Sequence, residues 1–260
     1  MIFLTKRLLL SCIAGFFTSL MLVLLLMYPT ALAFYPLVGA LCLGLTFLFF
    51  WTHGSSLRSL MSRMYVLLLV FICAVVVLFS LLEWAVFVWL MIIGCGVVIG
   101  LFFFRELRPA VALTAHVDKA FRRALMMLWV FNAYALATGV FAFNLFFPNV
   151  SFVYFDLLGS MMFGGVSIMI LRLYFDVPFS RLILWGLLVV LLALEVMWVI
   201  HLFPFGYFAS AFFVTWLWYL VQLFVRFHIS THGILWKRQR WFLIENVALL
   251  ILFFVLIRWI

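Results

Sequence analysis

The sequence predicts an all-α polytopic membrane protein, a bundle of about nine transmembrane helices, on three observations. Hydrophobic residues make up 71% of the 260 residues and charged residues only 9%, whereas a typical soluble domain has about 25% charged residues. The apolar residues fall into separate runs, each about 20 residues long, which is the length that a helix needs to cross the hydrocarbon core. These runs do not alternate between polar and apolar residues, as the strands of a membrane β-barrel do.

We predict a single transmembrane helical domain over residues 1–260, because no polar stretch is long enough to form a second, soluble domain. The first run, Leu8 to Tyr28, has 21 residues, or about 31 Å of helix. The predicted spans are about 8–28, 31–51, 64–82, 84–104, 124–147, 150–171, 182–203, 205–225 and 241–257. The first span also resembles a signal peptide, since Ala31-Leu32-Ala33 follows it. Its length exceeds the about 7 to 15 apolar residues of such peptides, which favours retention.

The basic residues are distributed asymmetrically between the two sides of this arrangement. Of the 16 Lys and Arg residues, all but Arg258 fall on the side of the N-terminus. Because short cytoplasmic loops carry the excess of Lys and Arg, we predict a cytoplasmic N-terminus and an outward C-terminus. The net charge of +9 thus reflects topology rather than nucleic-acid binding. We expect the basic cytoplasmic face to contact anionic lipid headgroups.

The longest polar segment, Arg105 to Arg123, has two interpretations. Pro109 suits a helix start, and apolar residues such as Val117 and Phe121 alternate with basic ones, which is typical of an amphipathic helix on the inner leaflet. The same residues also fit a charged loop that merges into the fifth span. The apolar residues lie only partly on one stripe, so the sequence leaves both open.

Two acidic residues lie inside predicted spans, where a charge is expensive and a functional role is the default hypothesis. Asp156 follows Pro148 by eight residues, and Glu195 precedes Pro204 by nine. Both carboxyls are therefore expected about 12 to 13 Å below the outer turns, at matching depth on the sixth and seventh spans. In one interpretation both acids line a single cavity open to the outside and bind a cation or share a proton, with Asn132 and Asn144 on the fifth span as candidate partners. In the other, which we favour, both acids are protonated, and each is hydrogen-bonded to a neighbouring side chain or backbone carbonyl.

Gly96 and Gly100 form a GxxxG spacing in the fourth span. Such a spacing allows two helix backbones to approach closely, so we assign the two glycines to helix packing. The motif is common in membrane helices and does not name the helix against which it packs.

The sequence predicts no metal site and no cofactor. His228 and His232 stand four residues apart, but a zinc site needs a third ligand and none is adjacent. The five histidines do not fall at equal depths inside spans, as a bis-histidine haem would require. The four cysteines lie in four different apolar runs without a CxxC spacing, as buried packing residues do. Hydrolase, metalloprotease and nucleotide-binding motifs are absent from the sequence, which favours a role other than that of an enzyme.

Three functions stay open on the sequence alone. The first is a small permease or channel-like component for an ion, a proton-coupled solute or a lipid, with the two acids lining its path. The second is a non-catalytic membrane scaffold or assembly subunit that binds other membrane proteins, and the third is an intramembrane lipid-processing enzyme. A permease should have a polar path past both acids, whereas a scaffold should lack one. In size and short loops the chain resembles small polytopic proteins of the bacterial inner membrane, which is the location we expect.

Overall fold

The computed structural model describes residues 2–28, 30–53, 63–106, 115–175, 178–229 and 236–256. Within these ranges the chain forms nine α-helices and no strand. In chain order the helices are α1 (Ile2–Met27), α2 (Ala31–His53), α3 (Arg63–Leu81), α4 (Ala85–Glu106), α5 (Ala115–Phe146), α6 (Phe152–Tyr174), α7 (Phe179–His201), α8 (Tyr207–Ile229) and α9 (Trp236–Leu256). Long helices are the expected form of such a chain, because backbone polar groups in lipid must be bonded within the protein.

The predicted all-α polytopic membrane fold is confirmed. Eight helices, α1 to α8, contain a stretch long and apolar enough to cross a membrane. The last helix, α9, has 21 residues and begins with the basic residues Lys237, Arg238 and Arg240. That α9 forms a ninth span, and that the C-terminus faces outward, stay predictions.

The main difference from the predicted boundaries concerns α5. This helix begins at Ala115, whereas the predicted fifth span began at residue 124. The charged residues 115–123 are therefore the first turns of the same helix, and of the segment from Arg105 to Arg123 only residues 107–114 lie outside the described part. Neither interpretation of that segment anticipated one continuous helix of 32 residues.

The helices group into two compact units, Met1–Leu128 and Trp129–Ile260, and the boundary falls within α5. Unit 1 contains α1 to α4 and the first part of α5, and unit 2 contains the rest of α5 and α6 to α9. The single domain predicted over 1–260 stays a prediction.

Unit 1 is built on an antiparallel contact between α1 and α4, where small residues meet in a constant register. The contacting pairs are Ser11 with Gly100, Gly15 with Gly96 and Ser19 with Ile92. Both serine hydroxyls donate to the facing backbone carbonyl, Ser19 Oγ to the Ile92 oxygen at 3.3 Å. A Cβ atom on Gly15 would stand 2.6 Å from the Gly96 carbonyl oxygen. Only glycine permits this separation, so the sequence of both helices fixes how closely they pack.

Unit 2 is built on a similar contact between α6 and α7. Gly164 faces Gly186 and Val190, and a Cβ atom on Gly164 would stand 3.1 Å from the Gly186 carbonyl oxygen. The next helix, α8, packs on both α6 and α7. A hydrogen bond of 3.0 Å from Trp216 Nε1 to Asn246 Oδ1 joins α8 to α9.

Candidate functional site

Asp156 lies in the second turn of α6 and points into unit 2. Its side chain is buried, with 2% of its surface exposed. The Ser160 hydroxyl, one turn further along α6, donates to Asp156 Oδ1 at 3.4 Å. Ser160 also lies 3.8 Å from the Met197 sulfur, which places this end of α6 against α7. The carboxyl thus has a weak, long hydrogen bond in an otherwise apolar contact between two helices.

Glu195 lies on the side of α7 that faces away from α6. Its neighbours two residues away in each direction, Ala193 and Met197, are both buried, whereas Glu195 itself is exposed. Residues two apart in a helix point about 200° apart. Because Met197 faces α6, the Glu195 carboxyl points away from α6 and from Asp156.

The two acids also differ in depth. Met197 lies against Gly159, and the His201 ring stacks on Phe152 with centroids 3.7 Å apart. This antiparallel register places Glu195 about one helical turn deeper along α6 than Asp156. The structure therefore directs the Asp156 and Glu195 carboxyls to different surroundings, in contrast to the shared cavity considered from the sequence.

The two candidate asparagines on α5 lie at different depths. Val140 contacts Gly159, and Phe141 stacks on Phe152 at 6.0 Å, so α5 and α6 run antiparallel. Asn144 is half-buried near the outer end of this contact, close to the depth of Asp156. Asn132 lies at the depth of Ser167, which is about 16 Å from Asp156 along the axis of α6. Only Asn144 is therefore level with the acid it was expected to accompany.

Asn132 is fully buried, and neither atom of its amide has a hydrogen-bond partner among the described residues. A buried amide without partners costs about 1 to 3 kcal/mol of stability. Such a group calls for an explanation in function or in bound water.

A second polar group, which the sequence analysis missed, lies between α6 and α8. The Ser167 hydroxyl donates to the Phe163 carbonyl at 2.8 Å and accepts from Trp218 Nε1 at 2.9 Å. Gln222 Nε2 donates to the Ser167 carbonyl at 3.4 Å, and Gln222 Oε1 is buried without a partner. The signal available in the sequence was Gln222, an amide inside the eighth apolar run.

Asp156 and Ser160 form one buried polar layer on α6, and Ser167 with Trp218 and Gln222 forms another. The Phe163 ring, 2% exposed and 5.2 Å from the Trp218 ring, lies between the two layers. Three cavities in the described part of unit 2 are about 10 Å³ each, the space of about one water. The linings of these three cavities contain neither Asp156 nor Glu195.

Glu195 belongs instead to an exposed apolar stripe along α7, which we call the Glu195 face. It consists of Leu184, Leu188, Leu191, Glu195, Trp198 and Leu202, at successive spacings of four and three residues. The five apolar members are exposed, from 43% for Leu188 and Trp198 to 69% for Leu202, and Glu195 is exposed as well. In a helix that crosses a membrane, this face contacts lipid or another membrane protein.

Gly96 and Gly100, assigned to helix packing, both lie against α1. A Cβ atom on Gly96 would stand 3.0 Å from the Gly15 carbonyl oxygen, and one on Gly100 would stand 3.3 Å from the Ser11 carbonyl oxygen. The helix that the sequence could not name is therefore α1.

Of the two histidines considered as metal ligands, His228 lies at the end of α8, where its ring contacts the Trp185 ring at 5.2 Å. His232 lies outside the described residues. Within the described ranges, no three His, Cys, Asp or Glu residues come close enough to hold a metal ion.

Comparison with protein-family models, with curated proteins and with solved structures finds no match to this chain.

Proposed function

We propose that this chain is a non-catalytic membrane assembly subunit, which binds a transmembrane helix of a partner subunit through the Glu195 face. The observation that carries the proposal is an acidic side chain exposed in the middle of an apolar helix face.

The energetic cost of leaving Glu195 against lipid supports this function. On translocon scales an aspartate at the centre of a membrane helix costs about 2.5 to 3.5 kcal/mol, which is an upper value for Glu195 because it lies about 8 Å from the centre of α7. Leu191 precedes Glu195 and Trp198 follows it on the same face, so apolar residues flank the carboxyl on both sides along the helix. A partner helix that supplies a hydrogen bond to this carboxyl lowers the cost, and polar side chains do stabilise helix pairs in membranes in this way.

The close packing of unit 2 also favours an assembly subunit over a permease. A permease for a polar solute needs a water-accessible path, and the cavities described above hold about one water each. Close contacts at Gly15 in unit 1 and Gly164 in unit 2 leave little room between the paired helices.

The proposal is tested by the mass of the particle purified from membranes in a mild detergent. We expect the parent protein to migrate as a complex larger than one chain. Glu195→Leu should dissociate it, because it removes the hydrogen-bonding group while keeping the face apolar. Glu195→Gln should preserve it, since an amide still donates and accepts.

Glu83→Leu is the matched control, because Glu83 is an exposed acid in the turn between α3 and α4 and lies off the Glu195 face. Its complex should equal that of the parent. A parent protein that migrates as a single chain, or a complex that survives Glu195→Leu, would overturn the proposal.

A second function, conduction of protons or a small cation along α6, is favoured by one specific observation. Two buried polar layers follow one another on α6, and Asn132 and Gln222 carry unsatisfied polar atoms in unit 2. If conduction is the function, Asp156→Asn should abolish a proton or cation flux into vesicles that contain the purified protein. Glu195→Gln should leave that flux intact, and the absence of any flux in the parent would exclude this second function.

A further inference from the structure

We propose that an anionic phospholipid binds at the basic ends of α8 and α9. One of its acyl chains lies along an apolar crevice between the two helices, and its phosphate group contacts Arg240. This site is separate from the Glu195 face and does not depend on the proposed function.

The crevice between α8 and α9 is apolar and opens to the surface of unit 2. It is lined by Leu220, Leu223, Phe224 and Phe227 of α8 and by Phe242 and Leu243 of α9. None of these six side chains is buried, and Phe242 is 38% exposed. Because α8 is long and apolar enough to cross a membrane, the crevice is in contact with acyl chains rather than with water.

The crevice lies toward the basic ends of both helices. The hydrogen bond from Trp216 to Asn246 fixes the antiparallel register of α8 and α9. From this bond, the lining residues extend along α8 toward Arg226 and along α9 toward Arg240. In the predicted topology this is the cytoplasmic end, so the acyl chains of inner-leaflet lipids reach the crevice.

The connection between α8 and α9 has the largest net positive charge of the four predicted cytoplasmic connections. Residues 226–240 have no acidic residue and a net charge of +4, from Arg226, Lys237, Arg238 and Arg240. Residues 105–123 contain five basic residues, but the two acids Glu106 and Asp118 reduce their net charge to +3. Clusters of four or more basic residues next to a membrane helix are typical of contact with anionic lipids.

Arg240 is a basic side chain of this cluster that lies beside the crevice. It precedes Leu243 by three residues, so the two side chains are neighbours on one side of α9, and Arg240 is nearer the helix start. Side chains of a helix tilt toward its N-terminus, which directs the Arg240 guanidinium toward the lipid headgroups. Arg226 is instead directed toward α6, where its guanidinium carbon lies 4.2 Å from the centre of the Tyr174 ring.

The charge of Arg240 is available to a ligand. Arg240 is exposed, and its guanidinium carbon is 5.9 Å from the centre of the Trp241 ring. Within the described part of the chain it forms no ion pair with an acid. Glu245, the next acid along α9, lies about 140° away around the helix.

The crevice and the basic cluster together select an anionic phospholipid. The crevice alone would accept the acyl chain of any lipid. A guanidinium binds two oxygens of one phosphate group, and the phosphate of phosphatidylglycerol carries the only charge of its headgroup. The choline group of phosphatidylcholine would add a positive charge beside the four basic residues, which opposes binding.

The test is native mass spectrometry of the full chain in detergent, titrated separately with phosphatidylglycerol and with phosphatidylcholine that has the same acyl chains. The dissociation constant of the first bound lipid is measured for each, and we expect phosphatidylglycerol to bind more tightly. Arg240→Gln should weaken binding of phosphatidylglycerol about fivefold, the change expected for the loss of one arginine at a membrane surface. Its binding of phosphatidylcholine should not change.

Arg181→Gln is the matched control for the charge. Arg181 is exposed in the first turn of α7, on the same predicted side of the membrane, and does not line the crevice. Its phosphatidylglycerol binding should equal that of the parent. Glu195→Leu should also bind phosphatidylglycerol as the parent does, because the Glu195 face is a separate surface.

Leu223→Trp tests the crevice, because the larger side chain fills it while Arg240 is retained. This variant should weaken phosphatidylglycerol binding, whereas Leu101→Trp, at an exposed position of α4, should not. If the Leu223→Trp chain does not fold, as judged by its elution from size-exclusion chromatography, Phe242→Ala replaces it, because it removes one wall of the crevice.

Four results would overturn the proposal. Equal affinity for the two lipids would show that the crevice accepts any acyl chain. Equal weakening by Arg181→Gln and Arg240→Gln would show attraction to the basic surface as a whole. Unchanged binding to Leu223→Trp, or to Phe242→Ala where it is used, would show that no acyl chain occupies the crevice. Displacement of phosphatidylglycerol by excess inorganic phosphate would show a site for the free anion alone.

Discussion

At the scale of single residues, Ser167 takes part in three hydrogen bonds, two of which join α6 to α8. It accepts from the Trp218 indole and donates to the Phe163 carbonyl, and its own carbonyl accepts from Gln222. The Trp218 side chain is 2% exposed, so no lipid headgroup or bulk water replaces the serine oxygen. This one hydroxyl therefore fixes how α8 packs on α6.

Ser167→Ala should lower the stability of the protein, because it leaves the Trp218 N–H buried without an acceptor. The expected loss is about 1 to 3 kcal/mol, measured as a lower unfolding temperature in detergent. Ser80→Ala is the matched control, since the exposed Ser80 hydroxyl donates only to Val77 of its own helix. Equal unfolding temperatures for the two variants would show that the Trp218 hydrogen bond contributes nothing.

The residue scale also shows which part of the site the sequence could predict: the positions of the two acids along their helices, but not the directions of their side chains. That Asp156 and Glu195 lie inside apolar runs is visible in the sequence, and their depth was estimated by counting from the prolines in the turns. The direction of each side chain depends on which helix packs against which face. On α7, the small residues Gly186 and Ala193 are buried, and Glu195 lies on the other side of the helix. The positions of glycine and alanine in the sequence could therefore have predicted which face of α7 packs against other helices.

At the scale of helices, glycine and serine residues allow α1 and α4 to pack closely in unit 1. Gly15→Ala should destabilise this pair, because the new Cβ atom would stand 2.6 Å from a backbone oxygen that cannot rotate away. Overpacking of this kind costs about 1 to 3 kcal/mol.

Gly94→Ala provides the control for that substitution. Gly94 is on α4 as well, and a Cβ atom there would meet nothing within 4 Å. We expect a lower unfolding temperature for Gly15→Ala and an unchanged one for Gly94→Ala. Both are measured by thermal unfolding in the same detergent. Equal effects would mean that helix propensity, not the α1–α4 separation, determines the result.

Helix existence was predictable for a physical reason that does not extend to helix ends. A helix needs about 20 apolar residues to cross the hydrocarbon core, so the spans are visible in the sequence as apolar runs. Outside the hydrocarbon a helix can include polar residues, so its ends are not marked by the end of an apolar run. α5 accordingly begins at Ala115 and includes Asp118 and Lys119, although no apolar run marks that part.

At the scale of the whole molecule, the asymmetry of basic residues predicts the orientation in the membrane. Arg181 lies in the first turn of α7 on the predicted cytoplasmic side, and Glu83 lies in the turn between α3 and α4 on the predicted outer side. Glu83→Cys, in a chain without its native cysteines, should therefore react with a membrane-impermeant maleimide added to whole cells. Arg181→Cys should react only after the membrane is opened, and the reverse pattern would contradict the predicted topology.

The partnership of α1 with α4 also has a consequence for how the protein is made. The small-residue face of α1, with Ser11, Gly15 and Ser19, is covered by a helix that ends at Glu106. At translation rates of about 5 to 20 residues per second, the ribosome needs on the order of 5 to 20 s to synthesise the intervening chain. During that interval α2 and α3 are inserted, and the small-residue face of α1 is not yet covered by α4. The contact between α1 and α4 therefore forms only after α4 has been synthesised, so the order of packing differs from the order of synthesis.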